Sequence, residues 1–182
     1  FPTSIGGSGN WWFAQNGAVI STTATASTMF LAPIYIPKAI SIQAVAINIV
    51  AGAASSVVRL GLYQHDPTTG RPKLSTAALF DWGTVSGTTA GVQSITGLAS
   101  TLPAGWSWIA FVGQTAAPTV STLTNLPNPA TVVNLASTTT PAPIDFTQTR
   151  GGYTVSSVTG ALPSITTLVN NNAVPIKIAF KN

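Results

Sequence analysis

The sequence predicts an antiparallel β-sandwich, and three observations carry that reading. Short apolar runs alternate with polar residues at a period of two and are punctuated by Gly, Pro, Asn and Asp. Thr, Val, Ile and Ser are abundant while Glu is absent and Lys is scarce, a balance that disfavours long helices. No stretch repeats its apolar residues every 3.6 positions. A length of 182 residues suits one domain with a real core, so 1–182 reads as a single unit.

Strands are expected near 10–15, 29–36, 40–50, 56–64, 78–84, 92–97, 105–114, 152–157 and 173–181. In the first, "NWWF" sends adjacent side chains to opposite faces, so one of Trp11 and Trp12 points outward. In the fourth, Val58, Leu60 and Leu62 share one face, with Arg59, Gly61 and Tyr63 on the other. The next residues, "HDPTTGRP", reverse the chain: Asp66 and Pro67 start a turn and Gly70 supplies a permissive backbone position. Arg59 is expected to pair with a carboxylate or with backbone carbonyls. Asp81, in "LFDWG", reads as the end of a strand. "WSWIAFV" is apolar on both faces, which places it in the middle of the structure or between the sheet and a subunit neighbour. Its Trp106 and Trp108 share a face and are expected to fill the core. In the last strand Val174, Ile176, Ile178 and Phe180 face inward. Residues 115–143 carry five Pro, eight Thr and no charge, and read as an extended arm or long loop laid over a surface.

Charge is the strongest compositional signal. Charged residues make up only 5% of the chain, far below the roughly 25% of average soluble proteins. None lies from Trp82 to Ile144. Charge keeps soluble proteins apart, so a surface this poor in it is expected to meet other protein. The net +4 comes from scattered Lys and Arg without a basic run, which argues against nucleic-acid binding. The absence of Cys removes disulfides and thiolate metal sites. No apolar run is long enough to span a membrane as a helix. The chain starts at Phe1 without an initiating Met, as a processed or excised piece would.

Catalytic chemistry finds little material. A glycosidase pair must be drawn from Asp66, Asp81 and Asp145, and the first two read as turn and strand-end residues. A serine nucleophile would depend on His65, the only imidazole, and "GGSGN" at 6–10 lacks the final Gly of a nucleophile elbow. One His cannot build a multi-imidazole zinc site, and no phosphate-cradling Gly motif occurs. Catalytic residues, metal ligands and cofactors are therefore all expected to be absent.

Binding is better supplied. Trp11, Trp12 and Trp82 are candidates for stacking on sugar rings, against the alternative of packing in the core. His65, Asp66 and Arg71 at the charged hairpin tip form a candidate contact loop, and Asn10 and Gln15 could add polar contacts near the first strand.

The order of motifs over 28–114 resembles a β-sandwich module of tailed-bacteriophage virion proteins, among them tail or head fibres and capsid-associated proteins. The resemblance rests on the aromatic and Pro from Tyr35 to Pro37, and on the small-residue turn and "RLGLY" from Ala51 to Tyr63. Further on, it rests on Asp66, Gly70 and Pro72 of the hairpin, Asp81 and Gly83, and "L-P-x-G-x-x-W" at Leu102, Pro103, Gly105 and Trp108. It implies a jelly-roll sandwich on a virion surface, working without catalysis as a fibre, spike or capsid-decorating component. It also implies assembly with copies of itself, commonly as a trimer, with other virion proteins, and contact with host glycans. A stand-alone carbohydrate-binding module using exposed Trp residues is the alternative.

Overall fold

The computed structural model describes residues 9–15, 18–123, 152–171 and 176–182. Their strands are β1 (Trp11–Phe13), β2 (Val19–Thr23), β3 (Met29–Ile36), β4 (Ile40–Ala51), β5 (Val57–Asp66), β6 (Arg71–Pro72) and β7 (Phe80–Ser86). The chain continues through β8 (Gly91–Leu102), β9 (Gly105–Gln114), β10 (Thr119–Leu123), β11 (Gly152–Val155), β12 (Val169–Asn171) and β13 (Ile178–Lys181). No helix occurs among the described residues, as the composition predicts.

Two antiparallel sheets pack face to face. In the six-stranded sheet β4 is central, with β8 on one edge and β13 and β10 sharing the other. β1 lies beyond β13, and β2 beyond β10. The seven-stranded sheet runs β12-β11-β3-β9-β5, and β6 and β7 share the last edge of β5. Four ladders nest inside one another, β5·β7 within β4·β8 within β3·β9 within β2·β10, and successive ladders alternate between the sheets. That is a long antiparallel ribbon rolled up on itself, the jelly-roll arrangement.

Alternation decides what fills the space between the sheets. Ile34, Ile36, Ile42, Val45, Ile47, Leu60, Leu62, Phe111 and Phe180 all point inward and are buried. Each such side chain contributes about 1.5–3 kcal/mol relative to exposure. Ile176, Ile178 and Phe180 are buried as expected; Val174 lies outside the described residues.

A second apolar layer covers the outer face of the seven-stranded sheet. Met29, Leu31, Tyr63, Trp108, Ala110, Val112 and Tyr153 of the sheet meet Val158, Leu162 and Ile165 of the stretch that follows β11. Backbone N–H of Val158 donates to the Ser27 carbonyl at 2.8 Å, and Ser75 N–H to the Ile165 carbonyl at 2.7 Å. Gln114 Nε2 donates to the Gly160 carbonyl at 2.6 Å, and the Tyr63 hydroxyl to the Pro163 carbonyl at 2.7 Å. Gly61 makes room for the cover, since a Cβ there would collide with Leu162 and with the Phe80 carbonyl. The doubly apolar "WSWIAFV" is thus central, and its outer neighbour is the chain itself rather than a subunit. Trp108 is fully buried in this outer layer, whereas Trp106, expected in the core, is only half-buried at its margin.

Three further expectations are corrected. Thr119–Leu123, read as part of an arm, is a strand inserted between β2 and β4, with Val120 and Leu123 fully buried. Pro118 closes the approach to it and hydroxyls line it, so the stretch looks loop-like by composition while pairing as a strand; residues 124–143 lie outside the described ones. The strand expected at 92–97 extends over Gly91–Leu102 because β4 offers a partner along that whole length. Asp81 is the second residue of β7, not a strand end, since β7 continues to Ser86 along the edge of β5.

Hydroxyls take over work that charges do elsewhere. Thr22 and Thr122 hydroxyls meet at 3.0 Å, Thr23 and Thr119 at 2.9 Å, and Ser41 and Thr101 at 3.1 Å, while Asn48 Nδ2 donates to Ser121 Oγ at 2.8 Å. Such cross-strand pairs each contribute roughly 0.2–1 kcal/mol without ions.

Candidate functional site

The outer layer on the seven-stranded sheet does not reach its far end. There β3, β9, β5 and β6 lie side by side and their outward residues form a row. Ile34 and Ile36 point into the core, so Tyr35 between them points out, and it is 45% exposed. Its cross-strand partner on β9 is Trp106, with ring centroids 5.2 Å apart and planes at 55°. One step beyond the Gln64↔Ser107 pair, β5 brings His65 level with Trp106, and β6 sets Pro72 opposite His65. Gln15 steadies the margin by donating from Nε2 to the Pro33 carbonyl at 3.0 Å.

Beneath the row, Trp108 organises the neighbours. Its indole N–H donates to His65 Nδ1 at 3.1 Å with the two rings stacked, and its other side meets the Tyr153 ring at 5.4 Å. The Arg71 guanidinium lies 6.0 Å from the Tyr153 ring centroid. Burial lowers the His65 pKa, and the neighbouring Asp66 charge opposes that shift.

Asp66 is occupied by the turn it makes. Its carboxylate accepts from the Thr68 N–H and the Thr69 hydroxyl, both at 2.9 Å, and its carbonyl accepts from Gly70 N–H at 2.8 Å. Gly70 has φ of 69°, the left-handed position the sequence assigns to it. The hydrogen bond from Thr69 is the largest of the causes that hold the Asp66 carboxyl below its ordinary value.

Arg59 finds its carboxylate in Asp81, Nη1 lying 2.8 Å from both oxygens. Burial would raise the Asp81 carboxyl, but the bonds from Leu162 N–H, Arg59 and Gly83 N–H outweigh it and hold the group low. Burial, with Asp81 acting in the same direction, pushes the Tyr63 phenol up. This cluster clamps the outer layer to the sheet and lies away from the open row.

The sequence candidates therefore separate. His65 stands level with Trp106 in the aromatic row, the Arg71 guanidinium lies over the Tyr153 ring that packs on Trp108, and Asp66 shapes the turn between them. Trp82 is only 7% exposed, packs in the core against Phe80 and Phe180, and donates to Ser100 Oγ at 3.2 Å, so it presents no face to a ligand. Its inward position follows from sharing a face with Phe80. Trp12 is half-buried against Phe180, while Trp11 is 45% exposed on the outer face of the other sheet, beside Phe13 and away from His65. Tyr35 and Trp106 are the residues that sequence reading missed. The signal for Tyr35 was present, since it stands between two inward isoleucines. Among the described residues no group of three or more His, Cys, Asp or Glu could hold a metal ion.

No family model and no curated protein matches the chain. Among solved structures, the chain is similar to one holding the cysteine protease and lectin-like domains of Cwp84, a surface layer associated protein of Clostridium difficile. The TM-score is 0.50 at 10% identity, covering 89% of this chain and 33% of that one. At such identity the likeness speaks for the fold alone.

Proposed function

We propose that the protein is a non-enzymatic adhesion module that binds glycans through the Tyr35–Trp106 face. One observation carries this reading: an exposed Tyr35 and a half-buried Trp106 pair across strands on the sheet surface, with His65 level with Trp106 and the Arg71 guanidinium over the neighbouring Tyr153 ring. Inclined rings offer apolar surface to the C–H face of a sugar, and neighbouring N–H groups and cations suit its hydroxyls. The fold neighbour, which contains a lectin-like domain, fits the same chemistry.

The setting we propose is a virion surface, supported by the motif order over 28–114, with assembly from copies of the chain, supported by the scarcity of charge. Glycan-array binding by the intact chain tests the core of the reading. Tyr35→Ala and Trp106→Ala each weaken binding by about tenfold or more, whereas Trp11→Ala leaves it unchanged. Binding that survives both platform variants, or no binding to any glycan, overturns it.

A further inference from the structure

Charge around the Tyr35–Trp106 pair is net positive, three cations (Lys38, Arg71 and Lys73) standing against the one carboxylate of Asp66. Lys38 stands exposed in the turn that follows β3, three residues beyond Tyr35. At the opposite end of the row, β6 places Arg71 opposite Asp66, and Lys73 follows, exposed, with its backbone N–H on the Gln64 carbonyl at 2.9 Å. Three strand spacings separate β3 from β6, roughly 15 Å. That span suits a short oligosaccharide better than a single sugar.

Of the two described acids, Asp81 is taken by Arg59. Asp66 keeps its charge, oriented into its own turn by the Thr68 N–H and the Thr69 hydroxyl, and offsets one of the three cations. Among the described residues Arg59–Asp81 is the only ion pair. Rings hold a cation on each sheet, the Arg71 guanidinium 6.0 Å from the Tyr153 ring centroid and Lys177 Nζ 4.1 Å from that of Phe13. In a protein that has replaced most of its surface charge by hydroxyls, cations kept at both ends of an aromatic row are a specific feature.

We propose that the row takes an anionic oligosaccharide, its sugar faces on Tyr35 and Trp106 and its acidic groups meeting Arg71 and Lys73 at one end and Lys38 at the other. This rests on the glycan-binding reading of the same site and adds the ligand's charge. Carboxylate and sulfate groups share the chemistry that Arg and Lys recognise.

Calorimetric titration of the full chain separates the sources. The probes are glucuronate-containing oligosaccharides with their carboxyl-reduced counterparts, and sulfated oligosaccharides with their desulfated counterparts. In at least one of these pairs the anionic member binds about tenfold tighter at low salt, and the advantage shrinks in high salt. The double variant Arg71→Gln/Lys73→Gln removes the advantage. Lys177→Gln/Lys181→Gln, the same change of charge on the other sheet, preserves it. Near-UV circular dichroism confirms that both double variants keep the native packing. Equal affinity within both pairs, abolished by Tyr35→Ala, overturns the charge assignment and leaves the platform standing. Failure of all the probes to bind overturns the platform as well.

Discussion

Trp108 donates its indole N–H to Nδ1 of His65 at 3.1 Å, with the two rings stacked at an interplanar angle of 18°. The bond requires an unprotonated Nδ1, so the proton of the neutral ring sits on Nε2. Burial favours the same neutral form.

Acidification therefore weakens the protein through this pair. The folded His65 has a pKa below its ordinary value, so the unfolded chain binds the proton first. Stability is fully present above about pH 6.5 and declines as pH falls from there through the lower folded value. Loss of one neutral hydrogen bond is worth about 1 kcal/mol, or about 2–4 °C in melting temperature for a domain of this size. Thermal melts at pH 7.5 and 5.5 differ by that amount in the native chain and coincide in His65→Gln; a native melt unchanged between the two would refute the coupling.

Asp81 joins the sheet to its outer cover, so its removal loosens a segment distant in sequence. Asp81→Ala leaves Arg59 without its acid and Leu162 N–H without its acceptor, at a cost of about 2–3 kcal/mol. Hydrogen exchange then rises across 158–165 well before it rises in β4 or β9. Because its folded pKa is depressed, the contribution of Asp81 is present above about pH 4 and is lost as pH falls through the folded value.

Two of the tryptophans should behave oppositely. Trp82→Ala opens a cavity between the sheets and costs about 3–5 kcal/mol in urea unfolding. Trp11→Ala, on an exposed face, stays within about 0.5 kcal/mol of the parent. Similar losses at both positions would contradict this placement.

Trp11 and Phe13 are 45% and 47% exposed on the short edge strand β1, an invitation to a second copy. Sedimentation velocity on the native chain should give species larger than a monomer, and Trp11→Ser/Phe13→Ser should shift the distribution toward monomer. A compact monomer at every concentration in the native chain removes self-assembly from the proposed function.

Much of this architecture was legible because period-two alternation is a local property. It identified β3, β4, β5 and β9, and the turn chemistry of Asp66 and Gly70 described the hairpin tip correctly. Alternation does not say what covers a face. Trp108 was expected in the core and Tyr63 only on a strand face, yet what packs on both is Val158, Leu162 and Ile165, which lie in a stretch with no periodicity of its own. β10 was hidden for a related reason, since Thr and Ser serve loops and hydroxyl-paired strands equally well. The candidate site was half legible: His65 and Arg71 stood out by charge, but their aromatic partners Tyr35 and Trp106 come from other strands and only the register brings them level.

The nested ladders also set a timetable. β7 and β8 adjoin in sequence, whereas β3·β9 must join Met29 to Val112 and β2·β10, outside it, Val19 to Leu123. A chain that closes its longest loops last pays most of its ordering entropy before the outer pairings reward it, and proteins dominated by such distant contacts fold in milliseconds to seconds. Until β3 reaches β9, Trp106 has no Tyr35 beside it, so the binding face waits on a distant closure that neither strand makes locally.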